Sequence, residues 1–494
     1  MNFYKSIQET LLRMKINFLN SYSKLPDNFY SRVLPAKVPE PKLVLFNDDL
    51  SAELGIKGLS EIELAEYFSG NKIFEGSEPI ALAYAGHQYG HFVILGDGRA
   101  ILLGEILDEN NQRFDIQLKG SGQTPYSRRG DGKAALGPMI REYIVSEAMF
   151  NLGIKTTRSL AVVKTGEEIY RETPLDGAVI TRVARSHIRV GTFEYFSSKN
   201  DSDSLKILFD YTIDRHFPNL KNSSNIYEEF LIEVAKLQAN LVASWMGIGF
   251  VHGVMNTDNM LVCGDTIDYG PCAFLDDYSE FKTFSSIDRH GRYAFSNQAN
   301  IALWNIFNLY GALSLLMPGH DEEKVFEELK NVFTQNYIHK YWQIMLAKIG
   351  IKNQIHEDKE LFQSLLGVME KDHLDFTNTF RYLSLILVNE KNHLTKFFEN
   401  SADLANWIKK WQERLKEENQ EFVAISNEMK KQNPAVIPRN HLIEKTIQKS
   451  YQGDFSYAEK LIQVLKKPYA DCVDLEFTNP PKPEEVVSKT FCGT

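Results

Sequence analysis

The residues whose types and spacing could do chemistry begin with a histidine, an asparagine and an aspartate. Asn259 follows His252 by seven residues, and Asp268 comes nine residues later, directly before a Tyr-Gly pair. Kinases carry a histidine and an asparagine at this spacing, followed by an acidic residue. There the asparagine and the acidic residue hold Mg²⁺ on the phosphates of a nucleotide. The spacing therefore predicts a nucleotide site with Asn259 and Asp268 as metal ligands.

The position that carries the proton-accepting aspartate in such enzymes is occupied here by a valine. That aspartate stands two residues after the histidine, where this chain has Val254. A valine cannot accept a proton. A carboxylate is found instead at Asp258, next to the predicted metal ligand Asn259. Asp258 is therefore the candidate for the group that takes the proton from an acceptor.

The upstream half of the chain carries the remaining parts of such a site. Gly96, Gly98 and Arg99 lie in a predicted turn between strands, Lys119 ends a later strand, and Glu142 follows on a predicted helix. The lysine would neutralise phosphate charge, and the glutamate would hold the lysine by an ion pair. Each part alone is common. All of them in this order favour a nucleotide site over coincidence.

Three arginines recur at the spacing of one helix face. They are Arg182, Arg185 and Arg189, and their guanidiniums would point the same way if residues 181–190 form a helix. Two interpretations remain open. Spacing alone favours a solvated basic face, whereas the fork of donors on a guanidinium also suits a clamp for phosphate oxygens.

The elements that must position these residues are short strands followed by helices. Strands are predicted over 92–95, 100–107 and 113–119, the last from strict alternation of apolar and polar residues. A helix is predicted over 138–151. These elements place Lys119 on the polar face of a strand and Glu142 on the helix that follows.

Beyond residue 225 the pattern is mainly helical. A buried helix is predicted to end near Gly247, and residues 301–317 are predicted as a second buried helix rather than a membrane span. Residues 405–433, rich in Lys, Glu and Gln, are predicted as a solvated helix.

The expected fold class is α+β, with a protein-kinase-like two-lobed fold, an N-terminal extension and a helical C-terminal region. The expected units are an extension at 1–80, an N-lobe with the nucleotide loop at 81–190, a C-lobe with the metal site at 191–400, and a C-terminal region with a cysteine-bearing tail at 401–494.

Composition limits the function classes. The 494 residues carry a formal net charge of −10, which argues against nucleic acid or anionic membrane as a partner. The four cysteines lack zinc-site spacing, and no secretory signal is recognised. A cytoplasmic monomer in a reducing compartment is expected.

Five stretches carry strings much longer and more specific than generic kinase motifs. They lie at 85–90, 95–99, 117–132, 181–189 and 252–268. In these strings the chain resembles the selenoprotein O family of protein adenylyltransferases, also called pseudokinases. The likeness extends over nearly the whole chain.

The resemblance implies a reaction and a set of residues. ATP would bind in a flipped orientation, so that AMP, or alternatively UMP from its own triphosphate, passes to Ser, Thr or Tyr hydroxyls of proteins. Asp258 would accept the proton, and Asn259 and Asp268 would bind Mg²⁺ or Mn²⁺. With the reacting phosphate presented elsewhere, Val254 is free to be apolar. The residues expected to contact the nucleotide are Gly96, Gly98, Arg99, Lys119, Asp131, Gly132, Arg182, Arg189 and Asp268.

A regulatory disulfide between Cys272 and Cys492 is also predicted. Cys272 follows the Asp268-Tyr-Gly-Pro string, and Cys492 lies in the C-terminal tail, the region in which some family members carry selenocysteine. The residues alone favour two unrelated thiols. The redox chemistry of the resembled family supports the bridge.

Three activities remain open from the sequence. The leading one is adenylyl transfer to proteins. The second is phosphoryl transfer with Asp258 as a displaced base. The third is a nucleotide-binding scaffold without catalysis, which retention of two metal ligands disfavours.

Overall fold

The computed structural model describes residues 16–388, 401–472 and 474–491. The strands are β1 (Tyr30–Arg32), β2 (Lys42–Phe46), β3 (Ile80–Leu82), β4 (Ala85–Gln88), β5 (His91–Ile94), β6 (Ala100–Leu107), β7 (Arg113–Lys119), β8 (Ala134–Ala135), β9 (Arg158–Tyr170), β10 (Pro174–Ala184), β11 (Phe250–Val251) and β12 (Ala273–Phe274). The helices are α1 (Asp48–Glu53), α2 (Glu61–Phe68), α3 (Leu136–Asn151), α4 (Val190–Ser197), α5 (Ser202–His216), α6 (Ile226–Gly247), α7 (Gln298–Leu313), α8 (Glu322–Lys348), α9 (Asp358–Lys371), α10 (Phe376–Ile386), α11 (Ala402–Lys416), α12 (Phe422–Gln432), α13 (Asn440–Tyr451), α14 (Ser456–Leu465) and α15 (Leu475–Thr478).

The first lobe is built on an antiparallel sheet with the strand order β1-β3-β6-β7-β10-β9-β2, to which β8 adds beside β10. The predicted strands 100–107 and 113–119 are β6 and β7 to the residue. Strands β1 and β2, which lie in the predicted extension, form the two ends of this order, so that part of the extension is continuous with the lobe.

Alternation along β7 separates an apolar face from a polar one. Ile116 and Leu118 pack in the apolar layer that α2 covers, while Asp115, Gln117 and Lys119 point to the other side. All three polar side chains are buried. The polar face of this strand therefore lies in the interior, and Lys119 at its end borders the cavity described below.

Helix α3 lies against the sheet and is held from behind by the C-terminal region. It packs on β9 and β10, and α13 and α14 pack on α3 in turn. The Tyr451 hydroxyl accepts a hydrogen bond from the Gly137 N–H at 3.0 Å, and Arg141 forms an ion pair with Glu444. The C-terminal helices thus fix the helix that carries Glu142.

The second lobe is helical, with α6 at its centre against α7 and α8. The stretch Phe295–Leu316, which includes α7, has the length and apolar composition of a membrane span within the described residues. That is weak evidence, because a core helix passes the same test. α7 also packs on α4, and its residues Ile306 and Leu309 are fully buried.

The solvated helix predicted over 405–433 is wrong. The segment forms two helices, α11 and α12, that bury one face in the core of the second lobe. Trp407 and Trp411 stack at 5.6 Å between ring centroids, and Leu415 is buried beside them. The apolar residues of the buried face recur at helical spacing. The prediction of a solvated helix was wrong because the many charged residues of the other face dominate the composition of this segment.

Candidate nucleotide and metal site

A cavity of about 400 Å³ lies between the two lobes. It collects most of the residues that the sequence predicted for a nucleotide site. Its lining includes Tyr84, Gln88, Tyr89, Asp97, Gly98, Arg99, Lys119, Arg128, Glu142, Arg182, Arg189, Val254, Asn256, Asp258, Asn259 and Asp268.

The carboxylate of Asp268 is contacted by three cationic side chains from the sheet lobe. Lys119 Nζ lies 2.9 Å and Arg182 Nη2 2.5 Å from its Oδ1, and Arg189 Nη1 lies 3.2 Å from its Oδ2. Glu142 completes the cluster, because it accepts from Lys119 at 2.6 Å and from Arg182 at 2.6 Å. The predicted ion pair between Lys119 and Glu142 is therefore present in the structure.

Electrostatics keep this cluster ionised. Burial alone would raise the pKa of both carboxyl groups, but Arg182 and Lys119 hold the pKa of Asp268 well below its usual value and also lower that of Glu142. The cavity lining as a whole carries five cationic side chains against four carboxylates: Arg99, Lys119, Arg128, Arg182 and Arg189 against Asp97, Glu142, Asp258 and Asp268. A cavity with this balance attracts anions such as phosphate.

The two arginines of the cluster do not share a helix face. The helix considered for residues 181–190 is wrong, because β10 continues to Ala184 and α4 begins only at Val190. Arg182 lies two residues before the end of β10, opposite Gln117 of β7. The β-branched residues around Arg182 favour the strand.

The third arginine of that series lies outside the cluster. Arg185 pairs instead with Asp265 at 2.6 Å and does not line the cavity. Arg189, in contrast, reaches the cavity from the residue before α4, where its guanidinium lies 4.5 Å from the centre of the Tyr84 ring.

The glycine turn between β5 and β6 borders the cavity through Gly98 and Arg99. Gly96 has φ +114°, and a Cβ there would lie 2.4 Å from the ring of Tyr126, so no side chain fits. Asp97 is buried, and its carboxylate accepts from the Gln117 amide at 3.1 Å. The turn is thus anchored to the strand that carries Lys119.

Three residues predicted to contact the nucleotide do not line this cavity: Gly96, described above, and Asp131 and Gly132 of the glycine-rich loop. Asp131 forms an ion pair with Arg171 at 2.8 Å. Gly132 has φ +68°, and an added Cβ would lie 2.1 Å from the Gly122 carbonyl oxygen. In this structure both residues shape the glycine-rich loop, and their contact with a nucleotide stays a prediction.

Asp258 lies in a single helical turn, Thr257–Asn259, and borders the cavity, where its backbone carbonyl accepts from Arg189 Nη1 at 2.6 Å. Burial raises its pKa to about 6, against the opposing charge of Arg189. Its Oδ1 is buried and has no hydrogen-bond partner in the described part of the chain. A buried, unsatisfied carboxylate oxygen costs free energy, which suits a group reserved for a ligand or a proton.

Backbone packing brings Asp258 to this place. Gly86 of β4 lies so close that a Cβ there would be 2.2 Å from Asp258 Oδ1. A Cβ at Gly191, in α4, would lie 1.9 Å from the Ala85 carbonyl oxygen. Residues 85–90 carry part of the family resemblance, but Gly86 was not predicted as part of the site, since a close approach between distant residues leaves no signal in a single sequence.

His252 and Val254 lie in the loop that precedes Asp258. His252 Nε2 lies 2.9 Å from the Ile267 carbonyl oxygen, and burial lowers the pKa of the ring, so it is neutral and serves to join two loops. Val254 borders the cavity at the position where kinases carry the base. Its carbonyl accepts from Asn259 Nδ2 at 3.0 Å, which turns the Asn259 amide oxygen away from Val254.

The donor set for a metal ion is made of oxygens. Asn259 and Asp268 both border the cavity, and one amide oxygen with one carboxylate suits Mg²⁺ or Mn²⁺. A group of three or more His, Cys, Asp or Glu side chains able to hold a metal does not occur within the described residues. Phosphate oxygens of a substrate would have to complete the coordination.

The sheet lobe, the helical lobe and the lysine–glutamate–aspartate cluster between them define a nucleotide-binding fold of the protein-kinase type. A search of solved structures matched ROP2 from Toxoplasma gondii, described as having a protein-kinase fold and no enzymatic activity. That match has 10% identity and a TM-score of 0.27, and it covers 60% of this chain and 84% of the other. So loose a superposition supports no assignment, and the fold rests on the elements themselves.

Comparison of the sequence is decisive about the family. Residues 12–466 match the family model described as protein adenylyltransferase SelO. Proteins named protein nucleotidyltransferase YdiU are 50% identical in Bacillus cytotoxicus, over 97% of this chain and 98% of the relative, and 50% identical in Rhizobium rhizogenes, over 97% of each. This chain belongs to the SelO family of protein adenylyltransferases, which confirms the resemblance found in its motifs and the class of nucleotidyltransferase.

The contact between Gly86 and Asp258 gives a direct prediction. In Gly86→Ala the new methyl carbon overlaps the Asp258 carboxylate, so the carboxylate or the hairpin must move. We expect nucleotidyl transfer to fall about 100-fold, since a displacement near 1 Å in a reacting group has that effect. Steady-state transfer to a model protein measures it. Gly367→Ala in α9, where an added Cβ meets no atom within 4 Å, is the control and should keep full activity. A wild-type rate of transfer in Gly86→Ala would contradict the assignment of Asp258 to the site.

Proposed function

We propose that this chain transfers the AMP moiety of ATP, or UMP from its own triphosphate, to Ser, Thr or Tyr hydroxyls of proteins. The observation that carries the proposal is the position of the candidate base, Asp258. Val254 stands where a kinase has its aspartate, whereas Asp258 borders the same cavity beside Arg189, and its Oδ1 has no hydrogen-bond partner among the described residues. Because the candidate base is displaced from its position in kinases, the acceptor hydroxyl would attack a different phosphate of the nucleotide.

Each residue of the site would have its own role in this reaction. Lys119, Arg182 and Arg189 would hold the phosphate oxygens, which would replace Asp268 as partners of the two guanidiniums. Asp258 would take the proton of the acceptor hydroxyl as its oxygen attacks the α-phosphorus. The bond to the bridging oxygen breaks, and pyrophosphate leaves with the electron pair. Mg²⁺ or Mn²⁺ held by Asn259 and Asp268 would neutralise phosphate charge.

The remaining assignments are part of the same proposal. The acceptors would be proteins rather than nucleic acid or membrane lipid, in line with the formal net charge of −10. We propose a monomer that acts in the cytoplasm. The nucleotide contacts predicted for Gly96, Gly98 and Arg99 would come from the glycine turn.

The position of the transferred phosphate can be tested with label. ATP labelled on the α-phosphate should mark an acceptor protein, and ATP labelled on the γ-phosphate should not. Intact mass should rise by one adenylyl group. Asp258→Asn should slow transfer by about 10²- to 10⁴-fold, because general-base help is lost. Transfer of γ-label with a phosphoryl mass increment would establish the kinase reaction instead, and absence of both labels would establish a scaffold.

We also propose the regulatory disulfide between Cys272 and Cys492. Cys492 lies outside the described residues, and Cys272 is buried. The three described cysteines form no disulfide with one another: Cys263, Cys272 and Cys472. A bridge would depend on an oxidant, since a reducing cytosol keeps thiols apart.

Docking of the C-terminal tail supports this bridge. Thr490 pairs with Ser285, and its hydroxyl donates to the Pro271 carbonyl oxygen at 2.6 Å. Pro271 directly precedes Cys272, and Thr490 stands two residues before Cys492. A bond at this point would tether the tail to the segment that follows Asp268 and restrict its movement.

Oxidation should therefore lower transfer activity, and thiol reduction should restore it. A peptide map made without reductant should contain the joined peptides of Cys272 and Cys492. Cys492→Ser should abolish both the joined peptides and the response, whereas Cys472→Ser should leave them unchanged. Two unmodified cysteines after mild oxidation, or an equal response in Cys492→Ser, would count against the bridge.

A further inference from the structure

We propose that Glu194 of α4 is a positioning residue that orients Asp258 through the hydroxyl of Thr257. This inference rests on the proposed function, because it concerns the group that takes the proton of the acceptor. Glu194 would touch neither the nucleotide nor the acceptor. It would set the rate of transfer by holding the turn Thr257–Asn259 in one place.

The first observation is a buried carboxylate bonded to the residue before the proposed base. Thr257 directly precedes Asp258 and is fully buried, and its hydroxyl donates a hydrogen bond to Glu194 Oε2. A hydroxyl has a single proton, so this bond fixes the direction in which the Thr257 side chain points. Both residues lie in one short helical turn, so a shift of Thr257 would shift Asp258 as well.

The second observation is that His87 of β4 completes this contact. His87 Nδ1 lies 2.6 Å from Glu194 Oε1, and the backbone N–H of His87 donates to Thr257 Oγ1 at 2.7 Å. The imidazole lies edge-on to the rings of Phe92 and Trp304, with 5.3 Å between ring centroids in each pair. Glu194, Thr257 and His87 therefore form a closed ring of hydrogen bonds that joins α4, β4 and the turn.

The third observation is that α4 holds the same turn at a second point. Arg189, the residue before α4, donates from Nη1 to the Asp258 carbonyl oxygen at 2.6 Å and also pairs with Asp268. One helix thus fixes the main chain of the proposed base through Arg189 and the side chain of its neighbour through Glu194. The same helix thereby sets the position of the proposed base relative to the cationic cluster.

The ring of hydrogen bonds lies behind the cavity. Glu194, Thr257 and His87 are not among the described residues that line the cavity, whereas Asp258 is. An effect of Glu194 on transfer would therefore pass through Asp258. The expected signature is a lower kcat with an unchanged KM for ATP, because the cationic cluster that would hold the phosphates keeps its contacts.

Variants of Glu194 test the proposal. In Glu194→Ala, the Thr257 hydroxyl and His87 Nδ1 lose their shared partner, so the turn can shift. We expect kcat for AMP transfer to fall about 100-fold, as a misplacement near 1 Å implies, with KM for ATP unchanged. Glu194→Gln should keep kcat within about threefold of wild type, because its amide oxygen accepts from Thr257 and its amide nitrogen donates to the other imidazole tautomer.

A double variant separates positioning from general stabilisation of the fold. In Asp258→Asn the base is already lost, so adding Glu194→Ala should lower kcat by less than about a further twofold. A merely structural role would repeat the whole loss of about 100-fold, because the effects of independent residues add as free energies. Cooperative thermal unfolding establishes that each variant is folded.

Glu418→Ala is the matched control. Glu418 is a buried glutamate of the helical lobe that pairs with Arg414 at 3.0 Å and does not line the cavity. Its loss should lower the melting temperature and leave kcat unchanged. Wild-type kcat in folded Glu194→Ala, a slow Glu194→Gln, or a full further loss in the double variant would each overturn the inference.

Substitutions at Thr257 make the same test if Glu194→Ala does not fold. Thr257→Val removes the hydroxyl and should lower kcat, whereas Thr257→Ser keeps the hydroxyl and should keep the rate. Equal kcat in the two variants would overturn the inference. Absence of AMP transfer by the wild-type enzyme would instead overturn the proposed function, so the two failures differ.

Discussion

The structure depends on the Asp268 carboxylate and the three cations that surround it. Lys119 ends β7, Arg182 lies near the end of β10 and Arg189 precedes α4, and Asp268 is their common partner. Asp268 also adopts a left-handed backbone conformation, with φ 65°. Such a conformation persists where the surroundings determine it, and it recurs at functional sites. Losing one partner of a buried charge pair costs about 3–5 kcal/mol, so this cluster dictates how the lobes meet.

Much of the remaining fold positions the members of this cluster. Helix α3 presents Glu142, and the C-terminal helices α13 and α14 hold α3 from its other side. The β4–β5 hairpin descends from the sheet lobe onto the turn that contains Asp258. The segment after Asp268 is fastened by the hydroxyl of Thr490. Regions that are distant in sequence thus meet at one cavity, and movement of the tail or of α3 would reach the cavity through these contacts.

The sequence predicted the elements that have a strong local pattern. The alternation in β7 placed its ends and its polar face correctly, and the order of kinase-like parts identified Lys119, Glu142 and Asp268 as members of one site. Predictions from local sequence pattern were wrong where tertiary packing determines the conformation. Arg182 and Arg189 have helical spacing but lie on a strand and beside a helix. The many charged residues in 405–433 led to the prediction of a solvated helix, although Trp411 in this segment is buried.

The close contact of Gly86 with Asp258 could not be found from one chain, because it joins residues that are 172 positions apart. The same holds for the partners of Asp131, which are set by the fold of a loop. Short-range periodicity predicts strands and helices, whereas the charge environment of a side chain depends on which elements the fold brings together.

The most direct measurement of the central claim compares ATP binding and AMP transfer in Lys119→Ala and Asp268→Ala with those in Lys164→Ala. Lys164 is a half-buried lysine of the same sheet, paired with Asp176 at 2.8 Å and remote from the cavity lining. We expect both site variants to unfold cooperatively, as the wild type does. We expect AMP transfer to fall by at least about 100-fold in each, because charge stabilisation of the reaction is removed. Calorimetric binding of ATP should weaken in Lys119→Ala and stay unchanged in Lys164→Ala. Full transfer activity in either site variant would contradict the account.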